Sequence, residues 1–513
     1  MILLRLPALL ASIALASGGA AATAAPEPTA PAATADEALD SLAALDVDKL
    51  YSDKAYAETM LGPLETAAAA GGDPRVGASI ELLRAVALGT LGRKDEAVAA
   101  ARKAVARSPG HGDLYAEAAF TAARAGRPLD AASLIEAGVR EVREPDQVEL
   151  LRERLEENFV YWLRRELREA KAQAEQDRLA ETLLAIRWPS PDRPGMVDTL
   201  RQAVIRARLP GDPAGAKALL AEMTDPAPLL PLLVSRRYDA LFAGDSERLA
   251  RLEAAIAAFD KGSAERVRRK PDDPDLVLDR AQFLRGVGQD EEALALLEPW
   301  TRDFGRVEEG GEKVFWLVNE AAFALNTLGR SDEAVALMEK LIALDIGKHP
   351  YLINMAINHG DLLIAAGRHA DAARYSEALF ATGKAGASPY GQMWMWANAA
   401  CSHAHAGRPD QAAPWVDRLN AGSDDNPSAH LEALLCLGDL DSAEPLMLKR
   451  LDSDDADELL VDLQDYTLGG RGIDPSLAAR MASLRARPAV AAAIARRGRL
   501  LKLPLSRNYW TDY

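Results

Sequence analysis

The stretch Val314–Leu344 reads VFWLVNEAAFALNTLGRSDEAVALMEKLIAL. Its first half places apolar residues, beginning with Phe315 and Val318, at spacings of three and four, which mark one face of a helix. Gly329 predicts the helix exit, because glycine adopts the left-handed backbone conformation at little cost. The second half repeats the helical spacing around Met338. The stretch therefore predicts two amphipathic helices joined by a tight turn, and a neighbouring pair must cover their apolar faces.

The turn of this unit recurs along the chain. LGRKDEAV, AGRPLDAA, VGQDEEAL, LGRSDEAV, AGRHADAA and AGRPDQAA share its pattern, and LGDLDSAE is a weaker copy. The predicted turn glycines are Gly92, Gly126, Gly288, Gly329, Gly367, Gly407 and Gly438. Five residues after each comes an alanine, at the point where the two helices of a pair touch: Ala97, Ala131, Ala293, Ala334, Ala372, Ala412 and Ala443. The spacings between neighbouring turns are 34 (126−92), 41 (329−288), 38 (367−329), 40 (407−367) and 31 (438−407) residues.

This pattern resembles the tetratricopeptide-repeat (TPR) family, whose period is about 34 residues. The resemblance covers roughly Ser79–Glu144 and Asp275–Leu448. It implies an all-α fold, a right-handed superhelical solenoid of helix-turn-helix repeats in one or two lobes, and an irregular helical bundle is the alternative. It also implies a protein or peptide partner bound in the concave groove.

The N-terminus predicts export. Residues 1–25 contain Arg5 as their only charge, an apolar run and an A-x-A site at Ala22–Ala24, which is the pattern of a secretory signal peptide. An uncleaved membrane anchor is the alternative. Without Arg5 the formal net charge of −17 becomes −18, and a chain this acidic does not favour non-specific binding to nucleic acid. We therefore expect a periplasmic or secreted bacterial protein with no nucleic-acid partner and no transmembrane segment after signal cleavage.

The rest of the chain divides into segments that match the repeat pattern closely and segments that match it poorly. The proline-rich Trp188–Gly195 predicts the boundary between two lobes, because three prolines in eight residues halt a helix. Gly211 and Gly244 are expected as turn glycines of degenerate helical pairs. The predicted domains are 1–25 signal peptide, 26–35 disordered linker, 36–188 N-terminal helical repeats, 189–274 degenerate helical linker region, 275–450 C-terminal TPR-like repeats, and 451–513 acidic loop and basic C-terminal cap or tail.

Two segments have a less regular pattern. Asp146–Trp188 is charged and free of Gly and Pro, so it predicts one long helix or two. Val490–Leu503 predicts an amphipathic basic helix. The tail that contains it could close the last repeat and pair with the acidic stretch Leu451–Asp465, or it could touch an anionic surface. The final NYWTDY could be a docking peptide or part of the same cap.

The sequence shows no catalytic motif. A phosphate-binding glycine loop, HExxH and a nucleophile elbow are all missing, so we expect a protein that is not an enzyme and that has no cofactor and no metal. The closest approach to a metal-ligand cluster is Cys401-Ser402-His403-Ala404-His405, which lacks four convergent ligands. Cys401 and Cys436 are the only cysteines; they could form a disulfide in an oxidising compartment or remain two buried thiols.

The resemblance also implies which residues line the groove, because the family uses fixed positions of each first helix. The aromatic and asparagine side chains at these positions suit an extended peptide, and packing in the core is the alternative. No basic clamp for a peptide carboxylate occurs there. The predicted groove residues are Trp316, Asn319, Phe323, Asn326, Asn354, Ile357, Asp361, Trp394, Cys401 and His405.

Three functions follow as hypotheses. The first is a non-enzymatic scaffold for protein–protein interaction in the bacterial cell envelope, in secretion or envelope biogenesis. The second is an enzyme or an enzyme-associated subunit, in which Asp146–Pro271 would form the active lobe. The third is a carbohydrate-binding solenoid in polysaccharide export, in which Trp316 and Trp394 would lie flat along one groove.

Overall fold

The computed structural model describes Leu42 and residues 45–70, 73–189, 193–383, 386–469 and 474–511. The predicted signal peptide and linker lie outside the described residues. The chain forms two compact units, of which the first ends at Leu219 and the second begins at Leu220. The boundary expected at Trp188–Gly195 lies inside the first unit.

The described part of the first unit is helical and surrounds one hydrophobic core that runs from Leu42 to Val204. Its helices are α1 Val47–Ser52, α2 Lys54–Ala69, α3 Pro74–Thr90, α4 Lys94–Arg107, α5 Gly112–Arg124, α6 Pro128–Glu141, α7 Pro145–Arg154, α8 Glu157–Glu169, α9 Gln173–Ala185 and α10 Pro194–Arg208, and α11 Pro213–Glu222 spans the division between the units.

The prediction of one or two helices over Asp146–Trp188 was wrong, because three helices, α7, α8 and α9, occupy the stretch. The break between α8 and α9 falls at Lys171, whose φ of 55° lies in the left-handed region. A non-glycine residue rarely adopts that conformation. No glycine or proline in the sequence therefore marks this break.

The second unit is also helical, with one small sheet. Its elements are α12 Pro226–Val234, a 3-10 helix Arg236–Leu241, α13 Asp245–Arg269, α14 Pro274–Gly286, α15 Asp290–Thr301, α16 Phe304–Thr327, α17 Ser331–Ile342, α18 Leu352–Ala365, α19 His369–Gly383, α20 Pro389–His405, α21 Pro409–Ala421, α22 Pro427–Leu437, α23 Leu440–Leu451, α24 Ala456–Asp462, β1 Asp465–Leu468, α25 Pro475–Arg485, α26 Pro488–Arg497, β2 Lys502–Ser506 and α27 Arg507–Trp510.

The turn glycines behave as predicted. All seven have a positive φ, between 69° and 79°. At Gly329 the amide donates to the carbonyl of Asn326 at 2.9 Å, and the amide of Arg330 donates to that of Leu325 at 2.9 Å, which is the bond pair that closes a helix C-terminus. Each of the seven alanines that follow the turns is 0% exposed, so the two helices of each pair do touch there.

The expectation for the degenerate pairs was wrong for Gly244. Gly244 has an extended backbone with a φ of 169° and precedes α13 as its N-cap. Gly211 is not among the glycines with a left-handed φ. Gly211 nevertheless lies in the turn between α10 and α11, where its amide donates to the carbonyl of Arg208 at 2.9 Å, whereas Gly244 forms no such turn.

The helices of the second unit pack in the order that the repeats require. The first helices α14, α16, α18, α20 and α22 each contact the next, and each also contacts its own second helix. The first helices therefore form one continuous layer. This layer presents the positions from which the groove residues were predicted.

The basic tail packs back on this unit. Arg487 pairs with Asp441 and Glu444, both at 2.7 Å, and Arg496 and Arg497 pair with Asp452 at 3.4 and 3.3 Å. α25 contacts α22, and α27 contacts α14. The tail thus contacts both α22 and α14, which are the two ends of the layer of first helices.

The predicted helix over Val490–Leu503 ends earlier than expected. α26 stops at Arg497, and residues 502–506 form β2, which pairs in parallel with β1. The short strand Lys502–Ser506 alternates exposed and buried residues over only part of its length. Its pairing partner lies more than thirty residues away in the chain, so local periodicity could not reveal the sheet.

Candidate functional site

A cavity of about 280 Å³ lies in the second unit between the first helices and the C-terminal segment. It brings together seven of the ten predicted groove residues, which come from α16, α18 and α20. These are Phe323, Asn326, Ile357, Asp361, Trp394, Cys401 and His405.

Three predicted residues do not line this cavity. Asn319 is 3% exposed, and its side-chain oxygen accepts a hydrogen bond from Asn358 Nδ2 at 2.9 Å. Trp316 hydrogen-bonds to Glu312 and thereby lowers the pKa of that carboxyl, although burial raises it more strongly. Asn354 is half-buried outside the cavity. Asn319 thus holds two repeats together.

The cavity also contains asparagines that the sequence argument missed. Asn358 and Asn398 both line it, and Asn398 Nδ2 donates to the carbonyl of Ile357 at 3.0 Å. With Asn319 they recur at steps of 39 (358−319) and 40 (398−358) residues. That recurrence matches the turn spacing, and it is the signal that could have found them.

The charge on the cavity wall is mainly negative. Asp361, Glu432 and Asp474 contribute carboxylates, and among the described residues of the lining Arg285 contributes a guanidinium. The guanidinium of Arg285 is itself paired with Glu320. The cavity therefore favours a positively charged group over a carboxylate or a phosphate.

Burial of this ion-pair network has a measurable consequence. Arg285 Nε lies 3.5 Å from a carboxylate oxygen of Asp290. Burial nevertheless raises the pKa of Asp290 to about 6, against the opposing effect of Arg285. The positive charge of Arg285 is thus shared between two acids and does not act freely on the cavity.

His405 contacts both the cavity and the start of α25. Its Nε2 lies 3.0 Å from Asp474, and its ring stacks on His369 with centroids 4.9 Å apart. Burial lowers the pKa of His405 more than Asp474 raises it. Because its pKa is lowered, the imidazole of His405 does not add a positive charge to the wall at pH 7.

Cys401 and Cys436 form a disulfide, with Cα atoms 5.1 Å apart. The bond joins α20 to α22, the first helices of neighbouring repeats, and both sulfur-bearing residues line the cavity. Glu432 completes a group of three potential metal ligands with these cysteines. In the disulfide neither cysteine has a thiolate to offer a metal.

The two tryptophans of the MWMW sequence face different surroundings. Trp394 lines the cavity, whereas Trp396 packs edge-on against Phe380 with ring centroids 5.9 Å apart. His403 is 3% exposed, and its Nε2 lies 2.8 Å from Glu377. Residues at alternate positions of α20 therefore face the cavity and the packed interior.

Across the described residues, we find no helix that has both the length and the apolarity needed to cross a membrane.

Sequence models of the tetratricopeptide-repeat family match two parts of the chain, residues 242–352 and residues 82–111. No curated protein matches. Among solved structures, yeast Tom70 is similar at 12% identity and a TM-score of 0.33, over 88% of this chain and 99% of that one. The Naa15/Naa10 complex bound to HypK-THB is similar at 13% identity and a TM-score of 0.23, over 78% of this chain and 66% of that one.

The family matches cover α13 to α17 in the second unit, and the second half of α3 with all of α4 in the first. The left-handed glycines and buried alanines of the repeats occur in both regions. Repeats of this kind are modules for protein–protein interaction. The matched parts of the chain are therefore tetratricopeptide repeats, and their presence in both units supports a role in binding protein partners.

Proposed function

We propose that this protein is a non-enzymatic scaffold that binds an extended segment of a partner protein through the cavity of the second unit. The partner segment presents a lysine or arginine side chain. The observation that carries this proposal is the cavity wall, where, among the described residues, the carboxylates of Asp361, Glu432 and Asp474 outnumber Arg285, which is itself paired with Glu320.

The size of the cavity limits what it can hold. Pockets for small molecules have volumes of about 300–1,000 Å³, and this cavity of about 280 Å³ lies just below that range. It therefore suits one side chain of a peptide. A cationic side chain suits it best, because three carboxylates line the partly buried wall and an opposite charge nearby stabilises their ionised form.

Trp394 and the asparagines have two further roles in the proposed site. An indole face attracts a cation at a distance of up to about 6 Å. The side-chain amide of Asn398 is already committed to the carbonyl of Ile357, so its role is to hold neighbouring helices at a fixed distance. The aromatic and acidic side chains then meet the ligand in a rigid wall.

The carbohydrate-binding hypothesis required Trp316 and Trp394 to lie along one groove. Trp394 lines the cavity and Trp316 does not. Of the two hypotheses, the arrangement therefore favours a peptide.

We also propose that the scaffold acts in the bacterial cell envelope after export. The apolar N-terminal sequence with its A-x-A site supports this, as does the disulfide, since disulfides persist in oxidising compartments. Fractionation of cells that express the full chain, with mass spectrometry of its N-terminus, tests the proposal. Cleavage after Ala24 or a neighbouring small residue is expected, and an intact N-terminus in the cytoplasm would contradict it.

A displayed peptide library tests the ligand class. The full chain should select peptides with a lysine or arginine at one position. The Asp361→Asn variant should lose that preference and bind a selected peptide about tenfold more weakly, which corresponds to about 1.4 kcal/mol.

Asp410→Asn is the matched control, because Asp410 is an exposed carboxylate on a second helix. It removes the same charge and should leave the selection unchanged. Selection of acidic peptides, or equal effects of the two substitutions, would show that the cavity does not select peptides by the positive charge of a side chain.

A further inference from the structure

The C-terminal segment Arg507–Thr511 lies on the layer of first helices, beside the cavity. Asn508 and Thr511 line the cavity, and α27 contacts α14. Trp510 Nε1 donates a hydrogen bond to the carbonyl of Gly286, the last residue of α14, at 2.9 Å. The chain therefore places its own aromatic segment on the layer of first helices, at the surface proposed above to bind the partner.

Two aromatic rings, one from the repeats and one from this segment, lie close to the guanidinium of Arg285. The Tyr509 ring lies 5.5 Å from the guanidinium of Arg285, and the ring of Phe323 lies 5.5 Å from the same guanidinium. Arg285 thus contacts an aromatic ring of the repeats and one of the segment. An aromatic side chain over an arginine is a recurrent recognition contact.

Gly286 shows how closely the segment fits. A Cβ atom built on Gly286 would lie 3.2 Å from Trp510 Nε1 and 3.3 Å from Tyr509 Cδ1. The three nearest atoms around this position all belong to those two residues. The absence of a side chain at Gly286 therefore makes room for the aromatic pair.

We propose that Arg507–Thr511 occupies, within the same chain, the surface that takes an adjacent pair of aromatic residues from the partner segment. The partner competes with the C-terminal segment and displaces it on binding. This inference rests on the proposed function and adds to it both a second feature of the partner and a control on access.

The high effective concentration of a tethered segment explains how it limits the partner's access to the surface. A segment joined to its site by a short connection competes at about millimolar effective concentration. A partner peptide that is free in solution at micromolar concentration cannot displace it unless it makes further contacts. The cationic side chain in the neighbouring cavity supplies such a contact.

The test uses the full chain and a fluorescein-labelled peptide RNYWTDY, which is the sequence of residues 507–513. Fluorescence anisotropy measures its binding to the wild type and to the double variant Tyr509→Ala/Trp510→Ala, in which the aromatic contacts of the chain's own segment are removed. We expect the double variant to bind the probe with an apparent Kd at least about tenfold lower than the wild type. A probe with both aromatic residues replaced by alanine should bind neither protein.

Gly286→Leu supplies the site control. Added to the double variant, it fills the space that the aromatic pair needs and should abolish probe binding. Probe binding of equal strength to the wild type and the double variant would overturn the proposal. So would a folded double variant that does not bind the probe, or binding that survives Gly286→Leu.

Trp510→Phe guards against a double variant that fails to fold. It keeps an aromatic side chain but loses the hydrogen bond to Gly286 and part of the indole's contact area, so probe binding should strengthen by about two- to tenfold. Circular dichroism establishes that each variant is folded. No strengthening in a folded Trp510→Phe protein would also count against competition.

The failure of this inference and that of the proposed function are distinguishable. If the library selects cationic peptides that bind the wild type and the double variant equally, the cavity reads charge and the C-terminal segment does not compete. If the double variant binds RNYWTDY but no cationic preference appears, the segment competes for an aromatic site and the proposed ligand class is wrong.

Discussion

The turn glycines make the repeat assignment testable through a pair of substitutions within one turn. Gly92 has a φ of +78° and nothing within 4 Å of a built Cβ atom. Gly89 lies three residues earlier in α3, where a Cβ would meet that of Ala125 at 3.6 Å and that of Ala97 at 4.0 Å, which is ordinary contact. Replacement by alanine therefore clashes at neither position, and only the backbone conformation differs.

The backbone conformation predicts opposite signs for the two substitutions. Alanine in the left-handed region costs about 1–2 kcal/mol, and the lower entropy of the unfolded chain offsets about 0.4–1 kcal/mol of this. Gly92→Ala should therefore destabilise the α3–α4 pair by about 1 kcal/mol. Gly89→Ala should stabilise it by about 0.5–1 kcal/mol, because alanine is the better helix former.

Native-state amide hydrogen exchange measures both effects in the full chain. A difference of about 1.4 kcal/mol corresponds to a tenfold difference in the opening constant. Amides of α3 and α4 should exchange about tenfold or more faster in Gly92→Ala than in Gly89→Ala. Amides of α16 and α17 in the second unit are the internal reference and should not change.

The reasoning would be refuted if Gly92→Ala left exchange in α3 and α4 unchanged, or if both substitutions shifted it in the same direction. Either result would mean that the positive φ at Gly92 does not close the helix.

Further predictions concern the site and the two cores. Trp394→Ala should weaken the binding of a library-selected peptide at least tenfold and leave the melting temperature nearly unchanged, whereas Trp396→Ala should lower the melting temperature; equal loss of stability in both would contradict the orientation of α20. Burial raises the pKa of Glu117 from its ordinary 4.5 to about 7, so the folded state favours the protonated acid. The contribution of Glu117 to the free energy of unfolding therefore falls as the pH rises from about 4.5 to about 7. Glu117→Gln should therefore raise the unfolding free energy at pH 8, by at most about 3 kcal/mol, and have little effect at pH 4; denaturant unfolding at both pH values checks this, and a larger effect at pH 4 would contradict it. Replacement of Cys401 and Cys436 by serine opens a cross-link that spans 35 residues and should cost up to about 4 kcal/mol, seen as a lower melting temperature that no longer responds to a thiol reductant.

The repeat pattern predicted those parts of the fold that depend on local chemistry. Glycine at a left-handed turn and alanine at a helix contact are each required by one residue's own geometry. Gly329 and Ala334 could therefore be assigned without a structure. The same register placed Phe323 and Trp394 on one wall of the cavity.

The remaining parts depend on contacts between distant segments. Asn319 was expected to line the groove, but its side chain hydrogen-bonds to Asn358 of the next repeat. Only the packing of the two helices decides whether such an asparagine faces a ligand or joins two repeats. The strand Lys502–Ser506 depends on a partner elsewhere in the chain. Asp474 and Asn508 reach the cavity because the tail folds back, and no periodicity in the sequence encodes that return.

The central claim is that the cavity between the first helices is where the partner binds. The most direct test places a photoreactive phenylalanine analogue at position 394 of the full chain, and at exposed Tyr161 as the control, and maps cross-links in the native host by mass spectrometry. We predict a cross-link from position 394 to a partner segment that contains a lysine or arginine near two adjacent aromatic residues, and none from position 161 to that segment. Cross-links from position 394 confined to residues of this chain, or a partner captured equally from both positions, would contradict the account.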